Sequence, residues 1–251
     1  MADAPEPQET FISHLVELRD RLLRSIIAVV VLTLAMMPWA KDIYAVLAKP
    51  LLAALPAGAT LIATDVTGTF LVPLKVTLMA GFLVALPFVL YQAWAFVAPG
   101  LYQHEKRLAV PVIVSSVVFF AIGMAFAYYV VFPVAFGFFA SYAPAGVQMM
   151  TDIDKYLSFV LTMFIAFGLT FETPVVVVVL VRLGIVSLEK LRAARGYVIV
   201  GAFVIAAIFT PPDVISQLLL AIPLCLLYEV GLLLARFVAP PAREAEDATA
   251  G

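Results

Sequence analysis

Ionisable side chains are so sparse along this chain that they divide it into six long apolar runs, and that spacing fixes the solvent it folds in. The runs cover residues 25–40, 76–103, 108–151, 156–181, 196–212 and 214–235, with Glu172 inside the fourth and Glu229 inside the sixth. About 20 apolar residues carry an α-helix across a hydrocarbon layer roughly 30 Å thick. The runs are too long for buried strands, and they lack the alternation of a barrel wall. The third run, at 44 residues, exceeds one span. Pro133, Gly137, Pro144 and Gly146 predict a helix ending near Val134, followed by a loop. The expectation is an all-α membrane protein with six transmembrane helices.

Composition supports that reading. Apolar residues make up 64% of the 251 and charged residues 13%, against roughly 45–50% and about 25% in a soluble domain. One soluble core cannot hide that much apolar side chain. A soluble enzyme, a disordered chain and a disulfide scaffold are excluded, the last because Cys225 is the single cysteine. A formal net charge of −2 provides no basic field for nucleic acid. Eleven of the 15 Lys and Arg fall on one side of the expected topology: Arg19, Arg21, Arg24, Lys106, Arg107, Arg182, Lys190, Arg192, Arg195, Arg236 and Arg243. Lys41, Lys49, Lys75 and Lys155 fall on the other. Positive-inside asymmetry then places both termini in the cytoplasm. Asp3, Glu6 and Glu9, with no basic residue beside them, argue against a cleaved signal peptide. The expected organisation is one transmembrane domain over residues 10–238, between mobile polar tails at 1–9 and 239–251.

Against this background each polar residue is conspicuous, because ionisable groups in lipid are costly and tend to serve function. Residues 11–23 read as an amphipathic helix leading into helix 1, with Phe11, Ile12, Leu15, Leu18 and Leu22 on one face and His14, Glu17 and Arg21 on another. Glu17 with Arg21 and Asp20 with Arg24 have the spacing of ordinary ion pairs. Residues 103–107 form a short cytoplasmic loop holding His104 and Glu105, with Trp94, Phe96 and Tyr102 as an aromatic belt. Glu172 lies ten residues before Arg182, beside Thr173 and Pro174. It faces a wet cavity or polar partner, or sits protonated and inert against a carbonyl. Thr210, Pro211, Pro212 and Asp213 form an outer turn in which Asp213 can cap the last helix, and Gln217 then needs a partner within the helix bundle or on another subunit. Helices 5 and 6, read as residues 196–209 and 214–228, are short enough to thin the bilayer locally. No nucleophile elbow, zinc-protease motif or phosphate loop is present in the sequence. No catalytic residue, metal or cofactor is expected, so work on a substrate needs a gradient or another protein.

These residues together resemble one family. Phe11-Ile12-Ser13-His14-Leu15-Val16-Glu17-Leu18-Arg19-Asp20-Arg21-Leu22-Leu23 is similar to the opening of TatC, the receptor subunit of the twin-arginine (Sec-independent) protein translocase. Further matches follow in order: Ala63-Thr64-Asp65, Tyr91-Gln92-Ala93-Trp94-Ala95-Phe96, Ala98-Pro99-Gly100-Leu101, His104-Glu105, Gly123-Met124-Ala125-Phe126-Ala127-Tyr128, Phe167-Gly168, Phe171-Glu172-Thr173-Pro174 and Thr210-Pro211-Pro212-Asp213. The resemblance spans residues 10 to 238. Lys106 departs from it, standing where the family often has arginine.

The resemblance implies a cupped six-helix bundle in a bacterial inner membrane. It also implies binding of twin-arginine signal peptides, partnership with single-span TatA and TatB subunits in an oligomeric complex, and export of folded proteins on the proton-motive force. The family's peptide-binding carboxylates map onto Glu17 and Glu105, with Arg19 and Phe96 in support and Arg21 as the resting partner of Glu17. Its intramembrane glutamate maps onto Glu172, and its partner-contact region onto Thr210 and Gln217. Two adjacent guanidinium groups want two carboxylate acceptors at the cytoplasmic surface, and lysines lose the paired geometry while keeping the charge. The rival expectation is a proton-coupled secondary transporter of a small solute using Glu172 and Asp213.

Overall fold

The computed structural model of the chain describes residues 7–54, 61–97, 106–142 and 150–238. Among the described residues the secondary structure is helical apart from one isolated bridge between Ile62 and Asp152. We label the helices α1 (Pro7–Met36), α2 (Ala40–Ala54), α3 (Gly68–Val97), α4 (Lys106–Phe126), α5 (Phe132–Ser141), α6 (Ile153–Phe171), α7 (Thr173–Arg182), α8 (Leu188–Ala193), α9 (Arg195–Phe209) and α10 (Val214–Val238). A 3₁₀ turn, Met37–Trp39, joins α1 to α2, and a π-helical turn, Ala127–Val131, joins α4 to α5. Five helical stretches are long and apolar enough to cross a bilayer: Ile12–Pro50, Gly68–Phe96, Val110–Ser141, Ile153–Arg182 and Val214–Phe237. Arg195–Phe209 is a shorter sixth. Tyr102, His104, Glu105, the C-terminal tail and the first six residues of the N-terminal tail lie outside the described residues.

Two expected helix ends move. The third run does not stop near Val134, because its helix continues to Ser141. Pro133 falls in the first turn of α5, immediately after the π turn, where a backbone donor is not needed. Gly137 has open space around its α-carbon, so it marks no turn. The last helix continues through Glu229 to Val238 and is 25 residues long. The shortness expected of helix 6 belongs to its uncharged stretch and not to the element. Helix 5 is short as an element: α9 has 15 residues, about 22 Å at 1.5 Å per residue.

The chain forms two compact units. The first comprises Met1–Tyr44 and Pro73–Val117. Here α1 and α3 run antiparallel. His14 of α1 meets Phe96 of α3, Arg21 meets Gln92, and Thr33 meets Gly81. A Cβ at Gly81 would lie within 2.8 Å of the Thr33 backbone, so only glycine allows this approach. The Thr33 hydroxyl donates to its own helix at Val29 O, 2.7 Å away. Trp94 Nε1 donates to Ser116 Oγ at 3.0 Å, tying α3 to α4. The outer faces of α1 and α3 are apolar and bare: Ile27 is 60% exposed, Leu34 64% and Val84 54%. A surface of that kind is suited to lipid.

The second unit comprises Ala45–Val72 and Val118–Gly251. Phe132, Phe136, Tyr156, Phe159 and Phe164 form a tilted aromatic cluster with ring centroids 5.3–6.2 Å apart. At Gly123 the α4 backbone approaches α6 so closely that a Cβ would be 2.5 Å from Phe167 O. Val177 and Val181 of α7 pack on Tyr228, Leu232 and Ala235 of α10. Pro50 lies inside α2 and cannot donate to the carbonyl four residues back, that of Val46. The Tyr128 hydroxyl donates to Val46 O instead, at 2.9 Å, and the Tyr156 hydroxyl to Leu47 O at 2.6 Å.

Asp152 joins two loops of this unit. Its Oδ1 accepts from Asp154 N and Lys155 N at 2.9 and 3.0 Å, capping α6. Its Oδ2 accepts from Thr64 N at 3.0 Å and Thr64 Oγ1 at 2.5 Å. Ile62 exchanges backbone bonds with Thr151 and Ile153 alongside. The Thr64 hydroxyl, followed by the surrounding backbone donors, holds the Asp152 carboxyl down to about 2.

Two outcomes follow from this packing. Gly81→Ala is expected to destabilise the protein by about 1–3 kcal/mol through overpacking. The reading is a lowered unfolding midpoint in detergent, and an unchanged midpoint contradicts the close approach. Because the Asp152 carboxyl is depressed, its stabilisation is complete above an unfolded value of about 4 and fades as pH falls toward about 2. Hydrogen-exchange protection at Asp154 and Lys155, corrected for intrinsic rate, should fall across that window in the wild type and be low throughout in Asp152→Ala, which has no side-chain acceptor.

Candidate functional site

The candidate recognition face lies within the first unit. His14, Glu17 and Arg21 recur at helical spacing on α1, and Gln92 and Phe96 lie one turn apart on α3. The His14 and Phe96 rings stack with centroids 4.3 Å apart and planes 17° apart. One turn further along α1, Arg21 Nε and Nη2 both donate to Glu17 Oε1, at 2.8 and 2.6 Å. Neither bond uses Oε2. Arg21 Nη1 reaches across to Gln92 Oε1 at 3.2 Å. Arginine offers only donors, so the acceptor must be the amide oxygen. Gln92 is 5% exposed, which makes it the buried end of this row. The Glu17 side chain is 39% exposed and that of Arg21 23%. A pair this exposed contributes about 0–1 kcal/mol net.

Arg19 points elsewhere. Its Nε and Nη2 donate to Asp20 Oδ1 at 3.0 and 2.8 Å. Asp20 therefore takes its observed ion pair from its neighbour Arg19, not from Arg24 as helical spacing predicts. Glu105, the second expected carboxylate, lies outside the described residues.

Glu172 occupies the junction between α6 and α7 in the second unit and is 7% exposed. Pro174 cannot donate to Thr170 O, and the Thr173 hydroxyl takes over that carbonyl at 2.7 Å. The kink is thus satisfied locally beside a carboxyl held inside the protein.

At the α9–α10 turn, Thr210 is 7% exposed, and both its amide and its hydroxyl donate to Ala206 O at 2.8 Å. Asp213 Oδ1 accepts from Ser216 N at 2.7 Å and so caps α10. Gln217 Nε2 donates to Phe203 O at 3.2 Å, linking α10 back to α9. At the other end of this hairpin Arg195 Nη2 donates to Glu229 Oε2 at 2.7 Å.

Sequence reasoning missed three contacts, made by four residues. Gln92 carried a signal, since an amide in an apolar helix needs a partner. Asp152 carried one as well, standing between an apolar run and a helix start, the place of an N-cap. The Arg195–Glu229 pairing is 34 residues apart in sequence and has no local signature. Among the described residues, no cluster of His, Cys, Asp and Glu could hold a metal ion.

Comparison with known proteins adds three findings. Residues 13–223 match the family described as "TatC: Sec-independent protein translocase protein (TatC)". The chain is 53% identical over 242 residues to the Sec-independent protein translocase protein TatC of Escherichia coli K12, covering 96% of this chain and 94% of that one. The same-named protein of Azotobacter chroococcum is 58% identical over 220 residues, covering 88% and 86%. A solved structure described as "Crystal Structure of Twin Arginine Translocase Receptor- TatC" superposes with a TM-score of 0.79 at 40% identity, covering 90% of this chain and 99% of that one.

Removing the hydroxyl at the kink leaves the Thr170 carbonyl with its backbone donor at the helix cap alone. Thr173→Val should therefore cost about 0.5–1.5 kcal/mol, the net worth of one hydrogen bond, while Thr173→Ser costs much less. Equal unfolding midpoints for the two variants in detergent would contradict this account of the kink.

Proposed function

The chain belongs to the TatC family of Sec-independent protein translocase proteins, and on that premise we propose that it recognises twin-arginine signal peptides at the α1–α3 face and works with TatA- and TatB-type single-span subunits. The observation that supports the reading best is Glu17, whose carboxylate already accepts two bonds from a guanidinium. An arginine of a signal peptide presents the same donor fork. Glu105 supplies the acceptor for the second arginine. Arg19, paired with Asp20, supports the face only from beside it, and Phe96, stacked on His14, gives the peptide's apolar segment a surface.

The remaining polar sites fit a role in assembly. Glu172, at the α6–α7 junction, is the intramembrane polar group assigned to a partner's membrane helix, and it becomes reachable only when that helix packs against the junction. Gln217 commits one amide donor to Phe203 and keeps further hydrogen-bonding capacity for a partner. Thr210 shapes the turn beside it. The short α9 thins the bilayer next to these groups. Export of folded cargo draws on the proton-motive force, within an oligomer in a bacterial inner membrane. Both termini are cytoplasmic, as the eleven basic residues on one side favour. A small-solute transporter is not favoured by the family match.

The test is peptide binding. Glu17→Ala combined with Glu105→Ala should abolish crosslinking of a paired-arginine peptide in membranes, with the protein still folded. On the wild-type protein a paired-lysine peptide should bind at least tenfold more weakly than the paired-arginine one. Undiminished crosslinking in the double variant, or equal binding of the two peptides, overturns the proposal.

A further inference from the structure

The recognition face holds a guanidinium of its own. Arg21 closes two bonds on Glu17 Oε1 and is steadied from the opposite helix by Gln92 Oε1. We infer that Arg21 is a built-in occupant of the Glu17 carboxylate, held in place by Gln92, and that a peptide arginine binds by displacing it. This rests on the reading of Glu17 as a peptide acceptor and adds to it a device that sets affinity.

Three features of the row support displacement over permanent pairing. The pair is half-exposed, so water and an incoming side chain both reach it. Arg21 holds a single carboxylate oxygen, so a second guanidinium can begin to bind at Oε2 before the first leaves. Gln92, buried on α3, holds Arg21 through a single 3.2 Å bond to a neutral amide oxygen, so the cross-helix hold on the occupant is weak and is given up at little cost.

The consequence is quantitative. If a carboxylate is available for only a fraction of the time, every ligand's apparent affinity falls by that fraction. The factor is the same for arginine and lysine ligands, because both need the same vacancy. Arg21 thus sets how tightly the face binds, while the geometry of the carboxylates sets which cation it prefers.

The experiment titrates paired-arginine and paired-lysine peptides onto the full-length protein in detergent, with variants Arg21→Gln, Gln92→Leu and Glu17→Gln. Arg21→Gln should tighten binding of both peptides by the same factor, about two- to fivefold for a pair of this exposure. Gln92→Leu, which keeps the volume and removes the acceptor, should tighten both by less. The preference for arginine should be unchanged in either variant. Weaker binding of the arginine peptide in Arg21→Gln means that Arg21 orients Glu17 for its ligand, and overturns the proposal. So does tightening confined to one peptide, or unchanged binding in both Arg21→Gln and Gln92→Leu. Glu17→Gln separates the two levels. If it binds the arginine peptide as well as wild type, the assignment of the face itself fails. If it loses binding while the other two variants match wild type, only the displacement fails.

Discussion

A backbone carbonyl with no donor costs several kcal/mol in hydrocarbon, where no water can repair it. Every irregularity in these membrane helices has to answer that cost, and a hydroxyl does so repeatedly. Pro50 frees Val46 O, and Tyr128 supplies a donor from another helix. Beside Pro174, the Thr173 hydroxyl on the preceding residue donates to Thr170 O. At the end of α9 the Thr210 hydroxyl adds a second donor to Ala206 O beside its own amide. Prolines therefore bend this chain without unravelling it. One such bend places Glu172 between two helix segments that are themselves fully bonded.

The same economy explains what the sequence revealed and what it hid. The positions of the apolar helices were legible because charge is so scarce that each ionisable residue marks a boundary. The end of the third helix was not, since Pro133 reads as a breaker until one knows that a π turn precedes it. Glu229 misled in the other direction. A charge inside an apolar run reads as the limit of a span, yet α10 passes straight through it, with Glu229 partly exposed and paired with Arg195 of α9. On the recognition face, the spacing of Glu17 and Arg21 on one helix was visible. Gln92 was not placed there, because the crossing of α1 and α3 that brings it close depends on Gly81 and Thr33, about three turns further along the two helices.

Charge within the first unit is arranged so that little of it is permanently committed. The Glu17–Arg21 and Arg19–Asp20 pairs are both partly exposed and individually weak. The groups that fix the face are instead a buried amide, a ring stack and a glycine contact. The first unit thus sets a rigid frame of buried contacts beneath charges that are free to exchange partners.

The Arg195–Glu229 pair carries a last implication. It ties the start of the 15-residue α9 to the 25-residue α10, nine residues short of that helix's end. From there α9 climbs only to Phe209, where the Thr210 cap and the following proline stop it. The hairpin therefore joins two struts of unequal reach, and α10 runs on alone beyond the level at which α9 begins.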